Sequence, residues 1–231
     1  MIGPFRRRAH FERDYISHVA KLLKQHGREE AMLLAVGGSV GESGFEEIGR
    51  AQVEGLIGAG LIDGMSLVDL GCGSGQTAVQ IARRLPGVQY LGLDVVPALL
   101  AHARSICPAN YRFVRSAALG FPVPDESVDM VFAFSVFTHL YHEESFAYLR
   151  DARRILRPGG RMIFSFLEFA NPETWHIFDY TVAARAAGNL PHMNTFIERP
   201  VVALWAEKLA FRLVGVLSGG DQTPAIFEKP K

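Results

Sequence analysis

The 231 residues predict an α/β fold, a doubly wound and mostly parallel sheet with an antiparallel hairpin at its carboxyl-terminal edge. Three observations carry this expectation. Beyond Gly64, short β-rich runs alternate with helical patterns of roughly ten or more residues, and crossovers of that length join parallel strands. "VDLGCGSGQ", Val68 to Gln76, sets three glycines at alternate positions behind an apolar run, as where a strand turns through a tight loop into a helix. Near the end, "FRLVGVL" and "PAIFEK" are separated only by "SGGDQT", a hairpin-sized link that makes them antiparallel neighbours.

The elements follow in order. Phe11, Tyr15, Val19, Leu22 and Leu23 recur at three- and four-residue steps among Arg, Lys and His, which predicts an amphipathic helix from Phe5 to about His26, stopped by Gly27. After the glycine-rich "VGGSVGESG", a second helix is expected from about Glu42 to Ile57, and the two form an N-terminal helical cap over residues 1–62. The sheet domain, 63–231, opens with the strand "SLVDL", a helix over Gln76–Leu85, the strand "VQYLGLD" and a helix over Pro97–Ile106. Pro97 stands in a first helical turn, where a missing N–H costs nothing. The strands "YRFVR" and "VDMVFAF", a helix over Glu143–Leu156 and the strand "GRMIFSFLEF" come next, with "RPGG" ending the helix and turning into the strand. A helix over Pro200–Leu209 precedes the closing hairpin. Residues 171–199 fit no clean period. They are rich in aromatics, His and Asn, and they follow the carboxyl end of a strand, where open α/β sheets bind ligands; a substrate lid or pocket wall is expected there.

Lys plus Arg number 24 and Asp plus Glu number 24, so no net field draws this chain to nucleic acid or to an anionic membrane. The two cysteines, Cys72 and Cys107, give neither a disulfide framework nor metal-ligand spacing, as suits a reducing cytoplasm. The basic start is followed by Glu12, Arg13 and Asp14 where an export signal needs an apolar segment. The longest apolar runs are of strand length. A cytoplasmic protein, monomer or homodimer, is expected.

Gly71, Gly73 and Gly75 let a ligand approach bare backbone beside the positive end of a helix. Asp94 closes the next strand nineteen residues past Gly75, where a carboxylate accepts hydrogen bonds from ribose hydroxyls. The spacing is G-x-G-x-G with Gln76 in place of the third glycine of the dinucleotide fingerprint, and Asp69 just ahead of the loop is awkward beside a pyrophosphate. A nicotinamide-dependent oxidoreductase is therefore disfavoured, and a cationic or zwitterionic adenosine derivative fits better.

"VDLGCGSGQ", "LGLD" and "LRPGG", in that order and spacing, resemble the motifs of class I S-adenosylmethionine-dependent methyltransferases over roughly Ser66–Glu168. The resemblance implies a seven-stranded, Rossmann-like sheet, S-adenosylmethionine as cofactor and S-adenosylhomocysteine as product. It implies a cofactor-binding set of Asp69, Gly71, Cys72, Gly73, Gly75, Asp94, Val95, Ala117, Ala118 and Ser135, the glycines beside the methionine part and Asp94 at the ribose. Ala117 departs from the family, which often places there an Asp that contacts the adenine amino group, so backbone groups near Ala117 and Ala118, stacking on Val95, or the Ser116 hydroxyl are expected instead. That departure keeps a non-catalytic binding module in play.

Methyl transfer needs alignment and exclusion of water more than a catalytic triad. For a hydroxyl acceptor a base helps, and His139, just past the fourth strand in "FTHL", is the candidate, against the plainer reading of a histidine bonded to its own loop. His142, Glu168 and Trp175 are candidates for touching a small-molecule methyl acceptor, with Phe178, Tyr180, His192, Met193 and Phe196 as further pocket lining or mere lid packing. His10, Asp14 and His18 share a helical face but read as solvated, as does "RRR" at Arg6–Arg8, and no metal is expected. The expected activity is methyl transfer to a small molecule, at oxygen, with nitrogen or carbon open.

Overall fold

The computed structural model describes residues 11–36, 41–188, 193–217 and 220–231. Seven strands form one sheet in the order β3-β2-β1-β4-β5-β7-β6. They are β1 (Ser66–Leu70), β2 (Gln89–Asp94), β3 (Arg112–Arg115), β4 (Val128–Ala133), β5 (Leu156–Phe166), β6 (Arg212–Val216) and β7 (Thr223–Glu228). The strands β1, β2 and β3 pair in parallel, as do β4 and β5, whereas β7 runs antiparallel to both β5 and β6. The architecture is the doubly wound one with an antiparallel edge that the alternating pattern predicts. The chain divides into two compact units at Ala117.

In the first unit, β1 and β2 carry Leu67, Val68, Leu70, Leu91 and Leu93, all buried, in the near-continuous apolar runs of strands covered on both faces. Each parallel strand returns through a helix, α4 (Gln76–Arg84) after β1 and α5 (Pro97–Ile106) after β2. Before the sheet lie α1 (Phe11–Gln25), α2 (Arg28–Leu34) and α3 (Gly41–Gly58). The periodicity gives α1 and α3; α2 is additional, because Gly27 ends one helix and, extended at φ −61° and ψ 158°, starts another. Helix α3 lies close against α4, a Cβ on Gly49 falling only 2.6 Å from the Gln76 carbonyl oxygen. Helices α1 and α2 bury Val19, Ala31 and Met32 against Val95, Val96 and Leu99 at the start of α5. At ~1.5–3 kcal/mol per large buried apolar side chain, that cluster is enough to hold the helices there.

The second unit holds β4, β5, β7 and β6 around Val131, Phe132, Met162, Phe164, Phe166, Ala225 and Phe227. Its helices are α6 (His142–Ile155), α7 (Trp175–Ala186) and α8 (Arg199–Lys208). Strand β5 begins at Leu156, so "RPGG" lies within the strand instead of ahead of it. The stretch without a clean period contains α7, whose only fully buried residue is Ala184; a helix with no apolar seam leaves no 3.6-residue signal to read. Among the described residues no helix is long and apolar enough to cross a membrane.

Candidate functional site

The first unit builds a loop designed around absent side chains. Gly71, Gly73 and Gly75 take φ of 75°, 55° and 95°, a region that other residues enter only with strain. The backbone N–H groups of Gly71 and Cys72 donate to the Leu93 carbonyl at 2.7 and 3.0 Å, which ties the loop to β2. Gly75 is the N-cap of α4, so the loop sits at that helix's positive end. Gln76, buried, fills the place of the third fingerprint glycine.

Asp94 reaches back to this loop. Its Oδ2 accepts from the Gly73 N–H at 3.0 Å and its Oδ1 from the Val96 N–H at 2.8 Å. Burial pushes its carboxyl up to about 6, while backbone hydrogen bonds from Val96, Gly73 and Val95 hold it down. Each oxygen keeps a second lone pair, so a vicinal diol can donate to this carboxylate while the loop stays fastened.

Asp69 is different in kind. It is 2% exposed, accepts from the Tyr90 hydroxyl at 2.6 Å, and is raised by burial to about 7 against that hydrogen bond, with Asp94's charge adding to the rise. Tyr90 stacks on Tyr111 with ring centroids 4.8 Å apart. This geometry makes Asp69 a buried tie between β1 and β2. Cys72 is likewise buried, and a Cβ on Gly92 would come within 2.8 Å of its sulfur, so its thiol is packing between loop and strand. Val95 is 9% exposed and covered by the N-terminal helices. Ala117 is half-buried and Ala118 exposed; the Ala118 carbonyl accepts from the Tyr148 hydroxyl at 3.1 Å and from the Gly120 N–H at 2.9 Å.

The N-terminal helices roof the loop and Asp94. Ser74 donates its hydroxyl hydrogen to the Met32 carbonyl at 3.1 Å, and a Cβ on Gly73 would stand 2.6 Å from a Val36 methyl. Tyr15 on α1 lies close enough to Asp94 that its phenol, raised chiefly by burial, is raised further by that charge. Glu12, one turn earlier, is buried and paired with Arg115 at 2.6 Å. Neither Glu12 nor Tyr15 is among the cofactor-binding residues that the motifs imply. The available signal was a carboxylate at position 12 on the same helical stripe as Tyr15, Ile16 and Val19, where a solvated helix has no reason to place one. Of the suggested metal group, His10 lies outside the described residues, and no cluster of three His, Cys, Asp or Glu able to hold a metal occurs among those described. The "RRR" at Arg6–Arg8 lies outside them as well.

In the second unit, His139 stands in a short helical turn after β4, and its Nδ1 donates to the Met193 carbonyl at 2.7 Å. A carbonyl only accepts, so Nδ1 carries a proton. His142 donates from Nε2 to the Phe196 carbonyl at 3.1 Å and lines a surface groove of about 390 Å³ with Phe146, Arg150 and Trp205. Both histidines thus strap the segment around Met193–Phe196 to the turn after β4.

Ser135 adopts φ 56°, strain that three hydrogen bonds maintain: its N–H donates to Ser165 Oγ at 2.7 Å, Ser165 donates to Gln222 Oε1 at 2.6 Å, and Gln222 Nε2 returns to Ser135 Oγ at 3.1 Å. Glu168 is paired within the fold. It is 0% exposed, Arg199 grips both of its oxygens at 2.8 Å, and the Thr223 hydroxyl donates to Oε1 at 2.7 Å. Burial alone would raise this carboxyl, but the Arg199 and Thr223 hydrogen bonds win and hold it low. Trp175, 47% exposed, joins Phe169, Phe178 and Phe196 in an aromatic cluster, with Phe169 and Phe196 stacked at 4.4 Å. Tyr180 is exposed, and His192 lies outside the described residues.

A glycine loop at a helix start, fastened to a carboxylate that closes the neighbouring strand, defines a nucleoside-binding α/β protein. Comparison shows what this segment resembles. Residues 67–160 match the methyltransferase domain family. It is 29% identical over 174 residues to the malonyl-[acyl-carrier protein] O-methyltransferase of Methylococcus capsulatus, covering 71% of this chain and 61% of that one. It is 36% identical over 110 residues to the demethylmenaquinone methyltransferase of Thermus thermophilus, covering 46% of this chain and 48% of the other. The chain thus spans less than two thirds of these relatives' own length. In fold it is similar to the N-methyltransferase NodS of Bradyrhizobium japonicum, solved with S-adenosylhomocysteine, at a TM-score of 0.61, 17% identity and coverage of 94% and 100%.

Proposed function

We propose that this protein transfers a methyl group from S-adenosylmethionine to a small-molecule acceptor, at oxygen, with His139 as the base. The observation that carries the cofactor assignment is Asp94, a half-buried strand-end carboxylate bonded to the N–H of the central loop glycine. The residues fit the cofactor: the loop has no side chain where a methionine moiety would lie, and the carboxylate retains lone pairs for two ribose hydroxyls. When bound, the sulfonium supplies an electrophilic methyl carbon, and the chemistry is an in-line displacement.

The chain's own residues then have limited tasks. Gly71, Gly73 and Gly75 admit the ligand to the backbone, Asp94 orients the sugar, and the roof of α1 and α2 excludes water. His139 takes the acceptor's proton at Nε2, while Nδ1 remains fixed by the Met193 carbonyl. The cluster of Phe169, Trp175, Phe178 and Phe196 supports an acceptor with an apolar or aromatic face. The relative from M. capsulatus is named an O-methyltransferase, which favours oxygen.

The test is a panel of phenols, carboxylates and amines assayed for acceptor-dependent release of S-adenosylhomocysteine. A phenol or carboxylate should turn over, and His139→Gln should lower kcat by ~10²–10⁴ without weakening cofactor binding. Turnover of amines alone, or an unchanged kcat in the variant, overturns the acceptor and base assignments.

A further inference from the structure

Glu12 is a buried carboxylate that is only half satisfied. Its side chain is 6% exposed, and Arg115 pairs with Oε1 at 2.6 Å. The other oxygen, Oε2, is buried without a hydrogen-bond partner. Among the described residues it is the one carboxylate oxygen in that condition. An unmet buried acceptor costs about as much as a hydrogen bond is worth, and more when charged, so its persistence points to a donor that arrives with a ligand.

The fold says where that donor would stand. Asp94 and Arg115 are register partners at the ends of β2 and β3. Helix α1 crosses both ends: Tyr15 senses the charge of Asp94, and Glu12, three residues earlier, pairs with Arg115. The glycine loop takes the β1 side of Asp94, because the sheet order is β3-β2-β1. A nucleoside with its sugar at Asp94 and its sulfur-bearing arm toward the loop therefore extends its base over β3. At that strand end Ala117 has no side-chain acceptor. The base of S-adenosylmethionine carries an exocyclic amino group, a donor that suits a carboxylate oxygen with its lone pairs still open.

We infer that Glu12 Oε2 accepts a hydrogen bond from the adenine amino group, so that the N-terminal helix α1 supplies the base-reading acid that Ala117 cannot. This rests on the S-adenosylmethionine reading above. It makes α1 part of the recognition of the cofactor, with Arg115 holding the carboxylate in place.

The experiment is calorimetry on the full chain with two ligands, S-adenosylhomocysteine and its analogue with hydrogen in place of the amino group on the purine. The wild type should prefer the amino ligand about 10- to 100-fold, the range of a charge-assisted hydrogen bond. Glu12→Met, which keeps length and helix propensity but has no acceptor, should bind both ligands within about threefold of each other. Glu12→Gln, which keeps a neutral acceptor and the shape of the side chain, should fall between, and it serves if the Met variant does not fold by circular dichroism. Equal binding of the two ligands by the wild type overturns the inference, as does a wild-type preference unchanged in a folded variant. Both of those results leave the cofactor reading standing. Failure of the wild type to bind S-adenosylhomocysteine at all is a separate result, which overturns that reading and this inference with it.

Discussion

Removing either partner of the Glu168–Arg199 pair should have unequal consequences. Arg199 grips the two oxygens of a fully buried carboxylate at 2.8 Å, while its own side chain is 46% exposed. Arg199→Met therefore leaves a buried anion with only the Thr223 hydroxyl, a loss of ~3–5 kcal/mol for a sealed pair, which water reaching the exposed guanidinium in the wild type reduces to ~2–3 kcal/mol. Glu168→Gln leaves an exposed, well-hydrated guanidinium and a neutral amide of the same shape, at a cost of ~1 kcal/mol. The assay is urea denaturation of both variants at pH 7 and pH 5. Glu168 is held below its ordinary value in the folded wild type, so its stabilising contribution is present above the unfolded pKa and is lost as pH falls through the folded one. In Arg199→Met that support is gone, the carboxyl pKa rises, and the gap between the two variants should narrow at pH 5. Equal losses at pH 7, or a Glu168→Gln variant that is fully stable but fails specifically with acceptor, would refute the structural role and return Glu168 to the acceptor site.

Other outcomes follow from the same geometry. Burial raises the Asp94 carboxyl to about 6, above its unfolded value, so its contribution to stability is greatest at low pH and is lost as pH rises through about 6. Ribose hydroxyls need the charged form, so affinity for S-adenosylhomocysteine should fall about tenfold per pH unit below about 6, a slope that calorimetry should find absent in Asp94→Asn. Gly73→Ala would put a methyl 2.6 Å from Val36 at φ 55°, costing ~1–2 kcal/mol of backbone strain and ~1–3 kcal/mol of overpacking. Adding Val36→Ala should recover only the second part in thermal melts; full recovery would show that the φ at Gly73 is unstrained.

The alternation of strand and helix made the sheet legible, and the C-terminal hairpin was legible from the shortness of "SGGDQT". The spacing of Gly71, Gly73, Gly75 and Asp94 was readable because chemistry fixes it locally: a turn needs positive φ, and the next strand's end is one crossover away. What lay beyond reach was set by tertiary partners. Glu168 looked like an open strand-end acid because nothing in the chain announces that Arg199, thirty-one residues on, returns to it. Asp69 stood beside the loop in sequence yet turns to Tyr90 in space. Helix α7 gave no period because it has almost no buried face. Glu12 was visible as an acid on an apolar stripe, but its meaning required knowing that α1 lies across the ends of β2 and β3.

The most direct measurement is calorimetric titration of the full chain with S-adenosylhomocysteine at pH 7.5, alongside NADH, for the wild type and Asp94→Asn. The wild type should bind the sulfur nucleoside and not the dinucleotide, and the variant should bind at least about tenfold more weakly. Saturable binding of NADH in preference, or undiminished affinity once the carboxylate is gone, would contradict the claim that this loop and this acid hold S-adenosylmethionine.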